Sequence, residues 1–154
     1  MKLLAICLSF IPFIAFSQIR IDDVGDGWKT QVEQALQLIK NVDSNKYEVV
    51  IAYCDHISYA LIPYSTTEAG HVILLATAEM KRGNVYDIAA AIVHESLHLY
   101  FQRHPIGLNA NAEEALCYAY EIEFLKQIPG VDPWLIDHAM KYYLYFSNKL
   151  VGSN

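Results

Sequence analysis

Apolar positions recur along this chain with two different periods. From Asp26 to Val42, Val32, Leu36 and Ile39 return at helical spacing with Gln, Glu and Lys between them, which predicts an amphipathic helix. A polar break follows at Asn41–Asn45. Tyr47–Cys54, YEVVIAYC, is β-branched and aromatic and predicts a strand. Ile57–Tyr64 alternates weakly and predicts a second strand, ended by Pro63. After Gly70, His71–Thr77 (HVILLAT) predicts a third. Lys81–Asn84 reads as a turn. A long helix is expected over Val85–Gln102, stopped by Pro105 and Gly107. Asn109 or Asn111 caps the next helix, which runs to about Gln127 and ends at the Ile128–Gly130 turn. Asp132 followed by Pro133 is an N-cap and first-turn pair that opens a last helix through Leu150. Strands followed by a run of helices argue for an α+β domain. The expectation is a short, mainly antiparallel sheet packed with the long helix and the two helices after it.

The first residues change the picture of where this domain works. Lys2 precedes an apolar run from Leu3 to Phe16, and Ala15 and Ser17 are small enough for the −3 and −1 positions of a cleavage site. The run of about 14 residues is short of the roughly 20 a spanning helix needs. Residues 1–17 therefore read as a secretory signal peptide and 18–154 as one domain without a membrane anchor, periplasmic or extracellular. Apolar residues are 54% of the chain and charged ones 18%, too apolar for disorder. The formal charge of −6 with no basic run argues against nucleic acid as a partner. Beyond the leader, Cys54 and Cys117 remain; an oxidising compartment permits a disulfide between them, and two buried thiols are the other reading.

The long helix carries polar residues that packing does not ask for. In AIVHESLHLYF, Ala91–Phe101, His94 and His98 lie one turn apart on one helical face, so both imidazoles can reach one metal ion. Glu95 is rotated about 100° from His94 and stands beside such an ion, placed to take a proton from water that the metal activates. This is the HExxH zinc peptidase pattern. Two histidines hold zinc poorly, and a catalytic site takes a third protein ligand. The extended form HExxHxxGxxH is absent, since position 101 is Phe. Glu113 and Glu114 follow on the next helix, which a helix–loop–helix connection can fold back against the first. A first-turn acid complementing the helix dipole is the plainer reading of Glu113, and a capping pair with Asn111 that of Glu114.

With His94, Glu95, His98 and an acid on the next helix, the chain resembles the gluzincin metallopeptidases over roughly residues 71–127, and in size the small minigluzincin-like members. The resemblance implies a Zn²⁺ ion held by His94, His98 and a glutamate, with Glu95 as general base. In many members a small residue stands three positions after the ligand glutamate. Glu114 has Cys117 there and Glu113 has Leu116, which favours Glu114 and leaves Glu113 open. The resemblance also implies an edge strand before the motif helix that binds substrate backbone, a role for which HVILLAT is placed. The chain departs from the NExxSD and NEGFA forms of two subfamilies.

Other polar residues carry less. His56, His71 and His104 read as surface or loop histidines. His138, or one of Tyr142, Tyr143 and Tyr145, could donate to a developing oxyanion. Asp22, Asp23 and Asp26 lack calcium-loop spacing and read as a solvated segment. The expectation is a secreted zinc metallopeptidase acting on peptides or proteins. The alternative is a zinc-binding or protein-interaction module on a zincin-like fold that cleaves nothing.

Overall fold

The computed structural model describes residues 19–25, 27–76 and 84–151. The expected signal peptide and most of the Lys81–Asn84 turn lie outside them. In chain order the elements are β1 (Arg20–Ile21), α1 (Trp28–Val42), α2 (Ser44–Tyr53), β2 (His56–Ala60), β3 (Thr66–Glu68), β4 (Val72–Ala76), α3 (Val85–Arg103), α4 (Ala110–Leu125) and α5 (Pro133–Val151). The class is α+β, as expected. No helix among the described residues is long and apolar enough to cross a membrane.

The expected strand over Tyr47–Cys54 is instead helix α2. Asp43 starts it, its Oδ1 accepting from the Lys46 N–H at 3.1 Å. The buried positions are Lys46, Val50 and Cys54, a four-residue spacing that serves a helix and not a pleat. A short apolar run is ambiguous between the two periods, and tertiary packing decided this one.

The sheet is mixed, not mainly antiparallel. Its order is β1-β2-β4-β3; β1 and β4 both run parallel to β2, and β3 alone is antiparallel, to β4. HVILLAT therefore supplies an interior strand, β4, and the sheet edge is β3. The tight turn between them has Ala69 at φ 52° and Gly70 at φ 72°. Its closing hydrogen bond runs from His71 N–H to the Glu68 carbonyl at 3.3 Å. Two successive left-handed residues suit the twist of a hairpin. The Gln102 amide of α3 donates to Thr67 Oγ1 at 2.6 Å and ties this edge to the long helix.

Helix α3 is the centre of the molecule, packing on α1, α2, β4, β3 and α4. Its apolar side, with Ile88, Ile92, Val93 and Leu99 buried, meets Trp28, Val32 and Ile39 of α1 and Ile73 and Leu75 of β4 in one core. Helix α4 starts where Asn109 Oδ1 accepts from Ala112 N–H at 2.9 Å, which decides between the two expected caps. Helix α5 starts at Pro133 after Asp132, whose Oδ1 accepts from Trp134 N–H at 2.9 Å. It packs mainly on α4. Cys54 and Cys117 are both buried free thiols, so the possible disulfide between them is not formed.

Candidate metal centre

The polar side of α3 faces α4 across a cleft of about 790 Å³, bordered also by β3 and α5. His94, Glu95, His98, Glu113 and Glu114 all border it, so the sequence's site residues are brought together. Both imidazoles are largely buried, His94 at 7% exposure, and buried polar groups need partners. His94 Nδ1 lies 3.0 Å from Glu121 Oε2, and His98 Nδ1 lies 2.7 Å from Glu113 Oε1. With Nδ1–H donating to its carboxylate, each ring is fixed and, in its neutral form, presents Nε2 as the electron-pair donor.

Both Nε2 atoms face Glu114. Its Oε2 is 3.5 Å from His94 Nε2 and its Oε1 is 3.6 Å from His98 Nε2. These separations are long for hydrogen bonds. Two ligand atoms each about 2.0–2.2 Å from one tetrahedral zinc ion stand about 3.3–3.6 Å apart. Each measured edge, one to each oxygen of Glu114, has the length of a zinc ligand–ligand edge. The same spacing separates the roles of the two glutamates: Glu114 faces the electron pairs, and Glu113 orients the His98 ring.

Cys117 adds a further donor. One atom each from His94, His98 and Cys117 lies within 4.8 Å of the others, a group able to hold a metal ion. Its thiol is fully buried. Burial, then the field of Glu114, Glu95, Glu113 and Glu121, pushes its pKa far up and keeps it protonated while no cation is near.

The same field acts on the other groups. Burial alone would lower the pKa of His94, but Glu114, Glu121 and Glu95 outweigh it and raise it to about 10. His98 is raised too, with burial opposing and Glu114 the strongest support. Burial would raise Glu114, but His94 and His98 hold it at about 2. Without metal the enclosing carboxylates favour the protonated form of both imidazoles.

Of the expected oxyanion donors, His138 and Tyr142 border the cleft, whereas Tyr143 packs against the core and Tyr145 is 51% exposed. His56, His71 and His104 do not border it. His56 Nε2 lies 2.8 Å from Asp22 Oδ1, and Ser58 donates to Asp22 Oδ2 at 2.6 Å. Asp22 is thus a pin between the first strand and the second, not merely a solvated acid. Hydrogen bonds from Ser58 and then His56 lower its pKa.

Sequence reasoning missed Glu121, Tyr118, Asp87 and strand β3. Glu114, Tyr118 and Glu121 fall at i, i+4 and i+7 on α4, so one face of that helix was legible as a polar stripe. Tyr118 packs its ring against His94, centroids 4.4 Å apart. Strand β3 is three polar residues long and carries no periodic signal. No family model, curated protein or solved structure matches the chain.

Proposed function

We propose that the protein is a zinc-dependent metallopeptidase of gluzincin type, exported behind its cleaved leader, with His94, His98 and Glu114 as metal ligands. One observation carries the reading: both Nε2 atoms converge on one carboxylate at ligand–ligand spacing, while a separate carboxylate holds each Nδ1. A zinc ion held there supplies the Lewis acid that makes water acidic and polarises a peptide carbonyl. Glu95, one position after His94 and buried against the cleft, takes the proton of the attacking water and delivers it to the departing amine. His138 and Tyr142 offer an N–H and an O–H from α5 to the carbonyl oxygen as its charge develops. The β3 edge, with Thr66 and Thr67 bordering the cleft, offers backbone groups to an extended peptide.

A second reading rests on Cys117. A fourth protein donor closes a zinc site and makes it structural, because catalysis needs an open position. What favours the open site is Glu114, whose two oxygens sit 3.5 and 3.6 Å from the two nitrogens; Cys117 is a further donor in the same group. Two measurements decide. One equivalent of zinc with chelator-sensitive cleavage of a peptide library supports the peptidase. In cobalt-substituted protein, a thiolate-to-metal charge-transfer band that vanishes in Cys117→Ser would establish the closed site instead.

A further inference from the structure

Strand β3 borders the metal centre with little in its own sequence to hold it there. It is Thr66, Thr67 and Glu68, three polar residues whose one sheet neighbour is β4. Thr66 and Glu68 are exposed and Thr67 is half-buried. The strand gives the core no aliphatic or aromatic side chain to bury. A short polar strand specifies its register weakly, and a slip of one residue turns every side chain to the other face.

Helix α3 supplies the missing hold. Gln102 stands four residues after His98 and eight after His94, so it continues their side of the helix by one turn. It borders the cleft, as Thr66 and Thr67 do. Its Nε2 donates to Thr67 Oγ1 at 2.6 Å. Its Oε1 lies 3.7 Å from where a Cβ on Gly70 would stand, so the side chain also rests against the hairpin turn. The next residue, Arg103, donates through Nε to the Gly70 carbonyl at 3.2 Å. The two holds differ in place. Arg103 grips the backbone of the turn and does not border the cleft, whereas Gln102 grips the strand on the cleft side.

Four residues of helix rise about 6 Å, so the tie to β3 is one turn from a metal-ligand candidate on the same rigid element. A peptide laid on β3 takes its position from Thr67, and an ion takes its position from His98. Gln102 makes those two positions one. This matters because a displacement of about 1 Å at a reacting centre can cost about 100-fold in rate.

We propose that Gln102 is a positioning residue for extended peptide substrates: through Thr67 it holds the β3 edge in register with the metal centre. The inference rests on the peptidase reading, and the test separates the two. Zinc-loaded protein is given a fluorogenic heptapeptide library. Gln102→Ala should lower kcat/KM by at least tenfold, through KM more than kcat, with zinc stoichiometry unchanged. Gln102→Glu, whose carboxylate can accept from the Thr67 hydroxyl, should recover most of the loss. Thr67→Val keeps the side-chain shape and should match Gln102→Ala, and the double variant should lose no more than either. Full activity in Gln102→Ala, no recovery in Gln102→Glu, or additive losses in the double variant overturn the positioning role and leave the peptidase standing. If no peptide is cut, the peptidase reading fails, and amide hydrogen exchange over residues 66–68 decides the positioning alone, in Glu95→Gln protein with and without the same peptides. Peptide-induced protection that Gln102→Ala removes supports it; protection that is absent, or unchanged in the variant, overturns it.

Discussion

Two regions bury charge, and they balance it differently. Lys46 of α2 is 4% exposed. Its Nζ lies 2.8 Å from Glu123, 3.5 Å from Asp43 and 3.7 Å from the centroid of Tyr120. One cation is enclosed by its own partners, and nothing further is needed there. At the α3–α4 cleft two imidazoles face Glu95, Glu113, Glu114 and Glu121 beside open space. That group lacks positive charge and has room to receive it. Charge balance and access, rather than burial, distinguish a structural ion pair from a candidate metal centre.

The sharpest way to break this comparison is at Glu95. Glu95→Gln should reduce peptide hydrolysis by about 10³-fold or more, in the range of a lost general base, while elemental analysis still finds one zinc. Activity retained in that variant would refute the assigned role. Next come the ligands. Glu114→Ala should weaken zinc binding more than Glu113→Ala or Glu121→Ala, each of which should cost about 10–100-fold as a partner of a ligating histidine. Competition with a chromophoric chelator measures all three, and a larger loss at Glu113 would reverse the two glutamates.

Lys46→Ala tests the other region. It should lower stability by about 1–2 kcal/mol in urea unfolding, a modest value because Glu123 is 69% exposed and solvent screens the pair. Lys46→Met should recover part of this by refilling the volume. Zinc stoichiometry should be unchanged in both; a loss of zinc would show that the two regions are not independent.

The smallest effect is on the pH dependence of the metal-free protein. His94 is raised from 6.5 to about 10 in the fold. Its contribution is complete below pH 6.5 and is lost as pH rises toward 10. Glu114 is lowered from 4.5 to about 2, so its contribution is complete above pH 4.5 and is lost as pH falls toward 2. Thermal melts of chelated protein should therefore show greatest stability between about pH 4.5 and 6.5, if these two groups dominate. Zinc should extend stability upward in pH, because it replaces the protons the imidazoles lose. A flat profile for the metal-free protein would contradict the raised His94 and the lowered Glu114.

The sequence by itself determined the long helix, its HExxH face, the helix that follows with a cap at Asn109 or Asn111, and the cap at Asp132. These are local: helical period, cap chemistry and a four-residue spacing act within one element. It also narrowed the proposed third ligand to two adjacent glutamates. Only the tertiary structure decided what depends on other elements. Tyr47–Tyr53 became a helix because Lys46, Val50 and Cys54 point one face at the core and Lys46 finds Glu123 far along the chain. β3 took the sheet edge because a hairpin turn at Ala69–Gly70 folds three polar residues back against β4. Glu113 and Glu114 received different roles because adjacent positions on a helix point about 100° apart, and only the approach of α4 to α3 determines which of them meets the Nε2 atoms.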